Sequence, residues 1–364
     1  LGREAVTRPL ADVPHLGRRP GAVVRPTSSE EVVELVRWAR EHRVALVPSG
    51  GRTGLSGGAD AHEGEVILSL EKMNRILDFN RADRTVRCQA GVVTQLVQEF
   101  VRDQGYFFPV DFASRGSSQV GGNVATNAGG VRVVRYGSFR EWVAGLEFVT
   151  GAGQRVRDLG LVKNATGYDF RHLMIGSEGT LGVITEVLLK VTTPLQDRQV
   201  YLLSFSDDSF LMSAFEVFTE AALRRVLARR REAGRPAGHP FSESASLSGT
   251  LNTGTLYALV EVESLDPSVL EGLFERGWIS DALCSQSARQ GQELWGYREE
   301  ISESLAPSRP YKWDVSVRVS RVAAWVREMK DLLAQTDPEL EVIWFGHLGD
   351  GNLHINVLKP PGWE

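Results

Sequence analysis

In the first half of the chain, short stretches of helical and strand periodicity alternate. Val32, Leu35, Val36 and Ala39 recur at helical spacing behind Ser28 and Glu31, which read as a capping box. Val44 to Val47 is a short apolar strand that runs into a glycine-rich turn. Further strands are expected at Val66 to Leu70 and at Thr85 to Gly91, where Val86, Cys88 and Ala90 share a face. A helix from Thr94 closes on Gly105. In the second half, Leu256, Ala258, Val260 and Val262 share one face of a strand. Glu293 to Leu305 reads as a helix that Pro307 and Pro310 terminate, with Arg298 and Ser302 four apart on one face. Tyr311 to Val317 alternates strictly, placing Tyr311, Trp313, Val315 and Val317 on an apolar face and Lys312 opposite. Arg224 to Arg235 reads as a solvated helix face, and Ser242 to Gly254 as a polar loop. No internal repeat is visible. The composition changes after Thr193-Pro194, which divides the chain into domains 1–195 and 196–364.

A length of 364 residues agrees with two cores rather than one. Hydrophobic residues at 42% and charged residues at 24% are the balance of a soluble globular protein. A net charge of -5 offers no global basic field, so nucleic acid is not an expected partner. Cys88 and Cys284 lie too far apart to suggest a disulfide framework or a metal knuckle, as expected in a reducing compartment. No apolar run is long enough to span a bilayer. The expected location is cytoplasmic, although the chain begins at Leu1 without an initiator Met and a targeting segment could have been lost.

Three glycine-rich segments carry the first chemical signal: Pro48 to Gly58, Gly116 to Gly130 and Gly176 to Gly182. Without Cβ atoms, such loops let backbone N–H groups approach a pyrophosphate, though any one of them could be a plain tight turn. The first loop lacks the Rossmann glycine spacing, and a strand rather than a phosphate-facing helix follows it. No Lys-Ser/Thr follows the glycines, so it is not a Walker loop. What remains is a nucleotide-like ligand in an unusual frame.

The second signal is Gly346 to Asn356. Asp-Gly is a strong two-residue hairpin signal, and with Asp350-Gly351 as a type I′ turn His347 would stand directly opposite His354. Asn356 shares their face. Two imidazoles so placed could hold one divalent ion, or could form a stacked structural pair. A third signal is the guanidinium of Arg298 with the ammonium of Lys312. Together they suit a carboxylate, and read alone they are two ordinary surface cations.

The segment Pro48-Ser49-Gly50-Gly51-Arg52-Thr53-Gly54-Leu55-Ser56-Gly57-Gly58 resembles the pyrophosphate loop of FAD enzymes related to vanillyl-alcohol oxidase. Gly121 to Gly130, continuing to Arg135-Tyr136-Gly137-Ser138, looks like the D-2-hydroxyglutarate dehydrogenase branch of that superfamily, and Gly176 to Gly182 matches its third flavin loop. The resemblance runs from about Val23 to the C-terminus. It implies an α+β, two-domain fold: an FAD-binding domain, then a substrate domain with an antiparallel sheet and flanking helices. It also implies that Pro48, Gly50, Gly51, Arg52, Thr53, Gly54 and Leu55 line the pyrophosphate. Gly116, Ser117, Ser118, Gly122, Asn123, Thr126 and Gly130 would line the flavin, and Gly182 to Ile184 the adenine side. The first loop lacks the His that often carries flavin covalently, so FAD is expected to be non-covalent.

By the same resemblance, Arg298, Ser302 and Lys312 hold the substrate carboxylate, with Ser302 standing where Thr is common. His347 and His354 bind a divalent metal, zinc being the first expectation, and Asn356 orients the substrate. In the family a further ligand Glu, followed by a His that acts as base, comes from a segment well downstream. This chain ends at Glu364, so a C-terminal part is expected to be missing. The reaction implied is oxidation of a small D-2-hydroxy acid, D-2-hydroxyglutarate to 2-oxoglutarate first, by hydride transfer to the flavin. D-lactate or glycolate dehydrogenase is the alternative within enzymes, and a flavin-binding protein with a lapsed metal site is the alternative outside them. An electron-transfer flavoprotein or the quinone pool would take the electrons, and a homodimer is compatible with all of this.

Overall fold

A computed structural model describes residues 21–54, 56–158, 160–161, 167–194, 198–205, 216–241, 256–263, 265–337 and 339–359. Leu55 and the polar segment Ser242 to Gly254 lie outside the described residues. The chain divides into two compact units, Leu1–Pro194 and Leu195–Glu364.

The first unit opens with β1 (Ala22–Val24) and α1 (Ser29–His42). Ser28 Oγ accepts from Glu31 N at 3.2 Å, while the Glu31 carboxylate takes the amide of Thr27 at 2.7 Å, one residue earlier than in the usual box. β2 (Leu46–Ser49) and β3 (Val66–Ser69) complete a parallel sheet ordered β1-β3-β2. β2 runs two residues beyond the apolar stretch, because pairing with β3 continues through Pro48 to Ser49. An edge strand tolerates that proline.

There follow β4 (Ile76–Asn80), β5 (Thr85–Gln89), α2 (Thr94–Asp103), α3 (Val120–Ala125), α4 (Val133–Tyr136) and α5 (Phe139–Trp142). β6 (Val143–Thr150), β7 (Arg155–Arg157), α6 (Phe170–Met174) and β8 (Gly182–Lys190) close the unit. The five strands from β4 to β8 form an antiparallel sheet ordered β4-β5-β8-β6-β7. One apolar cluster joins Val32 and Val36 of α1, Val86 and Cys88 of β5, Val97 of α2, Val124 of α3 and Val187 of β8. That cluster holds the loops at the strand ends in register.

The second unit contains β9 (Gln199–Phe205), β10 (Glu216–Thr219), α7 (Glu220–Glu232), β11 (Leu256–Val262), α8 (Pro267–Glu275) and β12 (Asp281–Cys284). After them come α9 (Ala288–Glu299), α10 (Ile301–Leu305), β13 (Tyr311–Ser316), α11 (Val322–Thr336), β14 (Val342–His347) and β15 (Asn352–Val357). Its strands form one antiparallel sheet ordered β12-β9-β11-β10-β14-β15-β13. Leu203, Val217, Ala258 and Leu353 point to one face, where Val322 and Val326 of α11 and Leu270 and Leu273 of α8 cover them. On β13 that apolar face is half realised: Val315 packs inward, whereas Trp313 at the sheet edge stays 50% exposed.

The opposite face carries α9, which sets Gly291 against Val200 and Trp295 Nε1 on Glu261 Oε2 at 3.1 Å. The expected single helix from Glu293 to Leu305 is two, with Glu300 between them. The Glu300 carboxylate is gripped by Arg230 and Arg235 at 2.9 Å each. The basic stretch is therefore solvated at Arg224 and Arg231, but Arg230 is buried and structural. No helix among the described residues is long and apolar enough to cross a membrane.

Candidate active site

In the first unit the three glycine-rich segments meet. Gly51 lies backbone to backbone on the second segment, where a Cβ would stand 2.1 Å from Ser117 O. Gly179 of the third segment lies against the Pro48 ring, and Gly176 N and Glu178 N donate to Val124 O and Ala125 O at 3.1 and 2.9 Å. Among the described residues each segment carries one non-glycine residue with positive φ: Arg52, Asn127 and Glu178, at 53°, 48° and 49°. Gly54 and Gly122 differ from Gly51, since a Cβ on either would meet nothing within 4 Å. Gln119 Oε1 and Ser177 Oγ are buried there with no hydrogen-bond partner. Open glycines and orphaned polar atoms at a junction of backbone loops fit a large polar cofactor with a pyrophosphate, which FAD has.

The remaining expected flavin residues fall into three groups. Gly50, Thr53, Gly116, Ser117 and Thr126 lie in or beside this junction and are at least partly accessible. Ser118 and Asn123 are buried and bonded to Thr94 Oγ1 at 2.9 and 2.5 Å, so their side chains shape the loop from within. Gly130 packs on Asp111 O and Gly182 on Val149 O, while Ile184 belongs to the apolar core. Asn127 Oδ1 accepts from Ser138 Oγ at 2.9 Å and from Arg140 N at 3.0 Å. The first of these bonds ties Asn127 to Ser138 across the loop.

In the second unit, the sheet register assembles a polar face. His347 pairs across the strands with Glu216 and Asn352, His354 with Phe345 and Asp314, and Asn356 with Ile343 and Lys312. Side chains at paired positions share a face, so Glu216, His347, His354, Asn356, Lys312 and Asp314 lie together on it. Arg298 reaches the same face from α9: its Nε donates to Glu216 Oε2 at 2.7 Å, and its Cζ sits 4.8 Å from the centre of the Phe345 ring. Ser302 is not brought in. It lies exposed on α10, beyond the break at Glu300, where four-residue spacing no longer stacks it on Arg298.

The two histidines are diagonal neighbours, a correction to the directly opposite pairing expected from a two-residue turn. A type I′ turn needs positive φ at both central residues, yet of the pair only Gly351 has it, at 82°. Leu348 to Gly351 instead form a four-residue loop, in which Asp350 Oδ1 accepts from Asn352 N at 2.9 Å. The register shift is two, so both rings keep the same face. Their centroids are 5.6 Å apart at 78°. Burial first, then the charge of Arg298, pushes His354 down to about 3, leaving a neutral imidazole. Among the described residues no group of three or more His, Cys, Asp or Glu is arranged to hold a metal. The pair fits two positions of a divalent ion, not a complete set.

Comparison with known proteins joins these two halves. Residues 20–158 match the pattern of an FAD binding domain, and residues 191–363 that of the C-terminal domain of FAD linked oxidases. D-2-hydroxyglutarate dehydrogenase of Xanthomonas citri pv. viticola is 48% identical over 371 residues, covering 96% of this chain and 77% of that protein. The namesake from Stutzerimonas stutzeri is 45% identical with the same coverage, and the mitochondrial one of Bos taurus is 35% identical over 93% of this chain and 63% of its own length. The chain belongs to the D-2-hydroxyglutarate dehydrogenase family. Among solved structures, alkyldihydroxyacetonephosphate synthase (TM-score 0.69, 19% identity, 94% of this chain and 72% of that one) shares the vanillyl-alcohol-oxidase fold. So does p-cresol methylhydroxylase (TM-score 0.68, 13% identity, 94% and 75%). As a member of this dehydrogenase family the protein is an FAD-dependent hydroxy acid oxidoreductase.

One prominent member of the polar face escapes sequence reading. Glu216 is 2% exposed, touches both Arg298 and the Nδ1 of His347, and stands in a four-residue strand with no motif around it. The signal available was weak: an alternating Glu-Val-Phe-Thr run just ahead of a capped helix.

Proposed function

We propose that this protein oxidises D-2-hydroxyglutarate to 2-oxoglutarate with a non-covalently held FAD. The observation that carries the reading is the gathering of Arg298, Lys312, His347, His354 and Asn356 on one sheet face, in a chain 48% identical to a protein of that name. Arg298, whose Nε is engaged by Glu216, offers its two Nη groups to a carboxylate, and Lys312 offers a point charge beside it. A substrate with two carboxylates suits two cations. Asn356 orients the substrate by hydrogen bonding, and Ser302, exposed on α10 off this face, is left out of the proposed site. Bound FAD supplies the acceptor for the C2 hydride. His347 and His354 would hold a divalent ion such as zinc, whose chemistry is to polarise a hydroxyl and lower its pKa. An electron-transfer flavoprotein or a quinone would then reoxidise the enzyme.

The test is anaerobic addition of D-2-hydroxyglutarate, D-lactate and glycolate to the yellow protein. Fastest bleaching of the flavin band by D-2-hydroxyglutarate is the expected result. Faster bleaching by D-lactate or glycolate overturns the substrate, and none by any 2-hydroxy acid overturns the reaction.

A further inference from the structure

Glu216 sits in the middle of the second unit's sheet, on β10, between β11 and β14. It is buried, and its register partner on β14 is His347. Its Oε2 accepts from Arg298 Nε at 2.7 Å, and its Oε1 abuts His347 Nδ1. Arg298 itself is only 5% exposed. A buried carboxylate needs compensation, and here a guanidinium and an imidazole stand on either side of it.

We propose that Glu216 is a positioning residue that sets Arg298 and His347 at once. Among the described residues His347 Nδ1 is buried with no hydrogen-bond partner and lies against Glu216 Oε1; a carboxylate only accepts, so a hydrogen bond between them requires the proton on the imidazole. That fixes His347 with its proton on Nδ1 and its lone pair on Nε2, the form that can bind a metal ion or accept from a hydroxyl. Engagement of Arg298 through Nε alone leaves both Nη groups for an anion. One carboxylate thus orients the anion-holding group and the lone-pair donor of the same face. This inference rests on that face being the substrate site, as proposed above.

The experiment uses the FAD-loaded protein labelled with 15N-histidine, in long-range 1H–15N correlation spectra, with His347→Ala used to assign the ring. Wild type is expected to show His347 as the Nδ1–H tautomer; the Nε2–H tautomer overturns the proposal without any variant having to fold. Glu216→Gln, checked for flavin content and melting temperature, should release the tautomer, raise KM for D-2-hydroxyglutarate and weaken Zn2+ binding by roughly 10–100-fold. Retention of the tautomer and of both affinities in that variant overturns it too. A wild-type protein that turns over no 2-hydroxy acid while His347 remains Nδ1–H sinks the reaction assignment and leaves the hold of Glu216 on His347 standing.

Discussion

His354 faces Phe345 across the β14–β15 hairpin and meets His347 on the diagonal, ring centroid to ring centroid at 5.6 Å. Diagonal neighbours on one face still converge on a single small ligand. His347→Ala and His354→Ala should therefore each abolish tight binding of Zn2+ and lower kcat by more than about 100-fold. Flavin content should not change, because the glycine junction lies in the other unit. Metal analysis, flavin absorbance and turnover check all three, and a metal-free protein at full activity would sink the metal role.

Arg298 and Ser302 should separate sharply on mutation. Arg298 is buried on the polar face, and a hydrogen bond to a charged group is worth about 1.5–3 kcal/mol, so Arg298→Ala should lower kcat/KM by roughly 10–100-fold. Ser302 is exposed beyond the break at Glu300, and its replacement by Ala should cost less than about threefold. Equal effects in steady-state kinetics would mean that α10 contributes as much as α9.

The glycines of the loop junction fall into two classes with opposite expected signatures. Gly51→Ala places a methyl 2.1 Å from Ser117 O and should destabilise the apo-protein by about 1–3 kcal/mol. Gly54→Ala meets no atom, so apo stability should hold while FAD affinity falls. Thermal unfolding of the apo-protein and flavin titration distinguish them. Loss of stability without loss of flavin in Gly54→Ala would remove that glycine from the cofactor site.

Glu147 predicts an acid limb. Burial alone would raise its pKa, but hydrogen bonds from Arg155, Ser29 and Thr185 outweigh burial and hold it below the ordinary 4.5. A depressed carboxylate contributes stability that is fully present above its unfolded value and is lost as pH falls through the folded one. Wild type should thus lose stability progressively below about pH 4.5, and Glu147→Gln should lose less there. At neutral pH the variant should be weaker by about 1–3 kcal/mol. Denaturant titrations across that range measure both, and parallel pH profiles would contradict the argument.

Much of the first unit was legible because its signals are local. A cap such as Ser28, the glycines of three loops and the periodicity of Val32 to Ala39 are each read within a dozen residues. The second unit's polar face was legible where a motif marks it, at His347, His354 and Asn356, and illegible where pairing makes it. Nothing near Glu216 in sequence announces that Arg298 and His347 will close on it; only the register of β10 with β14 does. The hairpin shows the same limit at smaller scale. Asp350-Gly351 marks a turn, but the backbone angle that Asp350 adopts decides the register of the histidines.

The central strand pair β10–β14 joins segments separated in sequence by three other strands of the same sheet. Pairings of such long range form slowly, after local hairpins and helices are in place. Until β14 docks, the Glu216 carboxylate stays hydrated. Its dehydration is therefore coupled to closure of the sheet, so the polar face is complete only once this long-range pairing has formed.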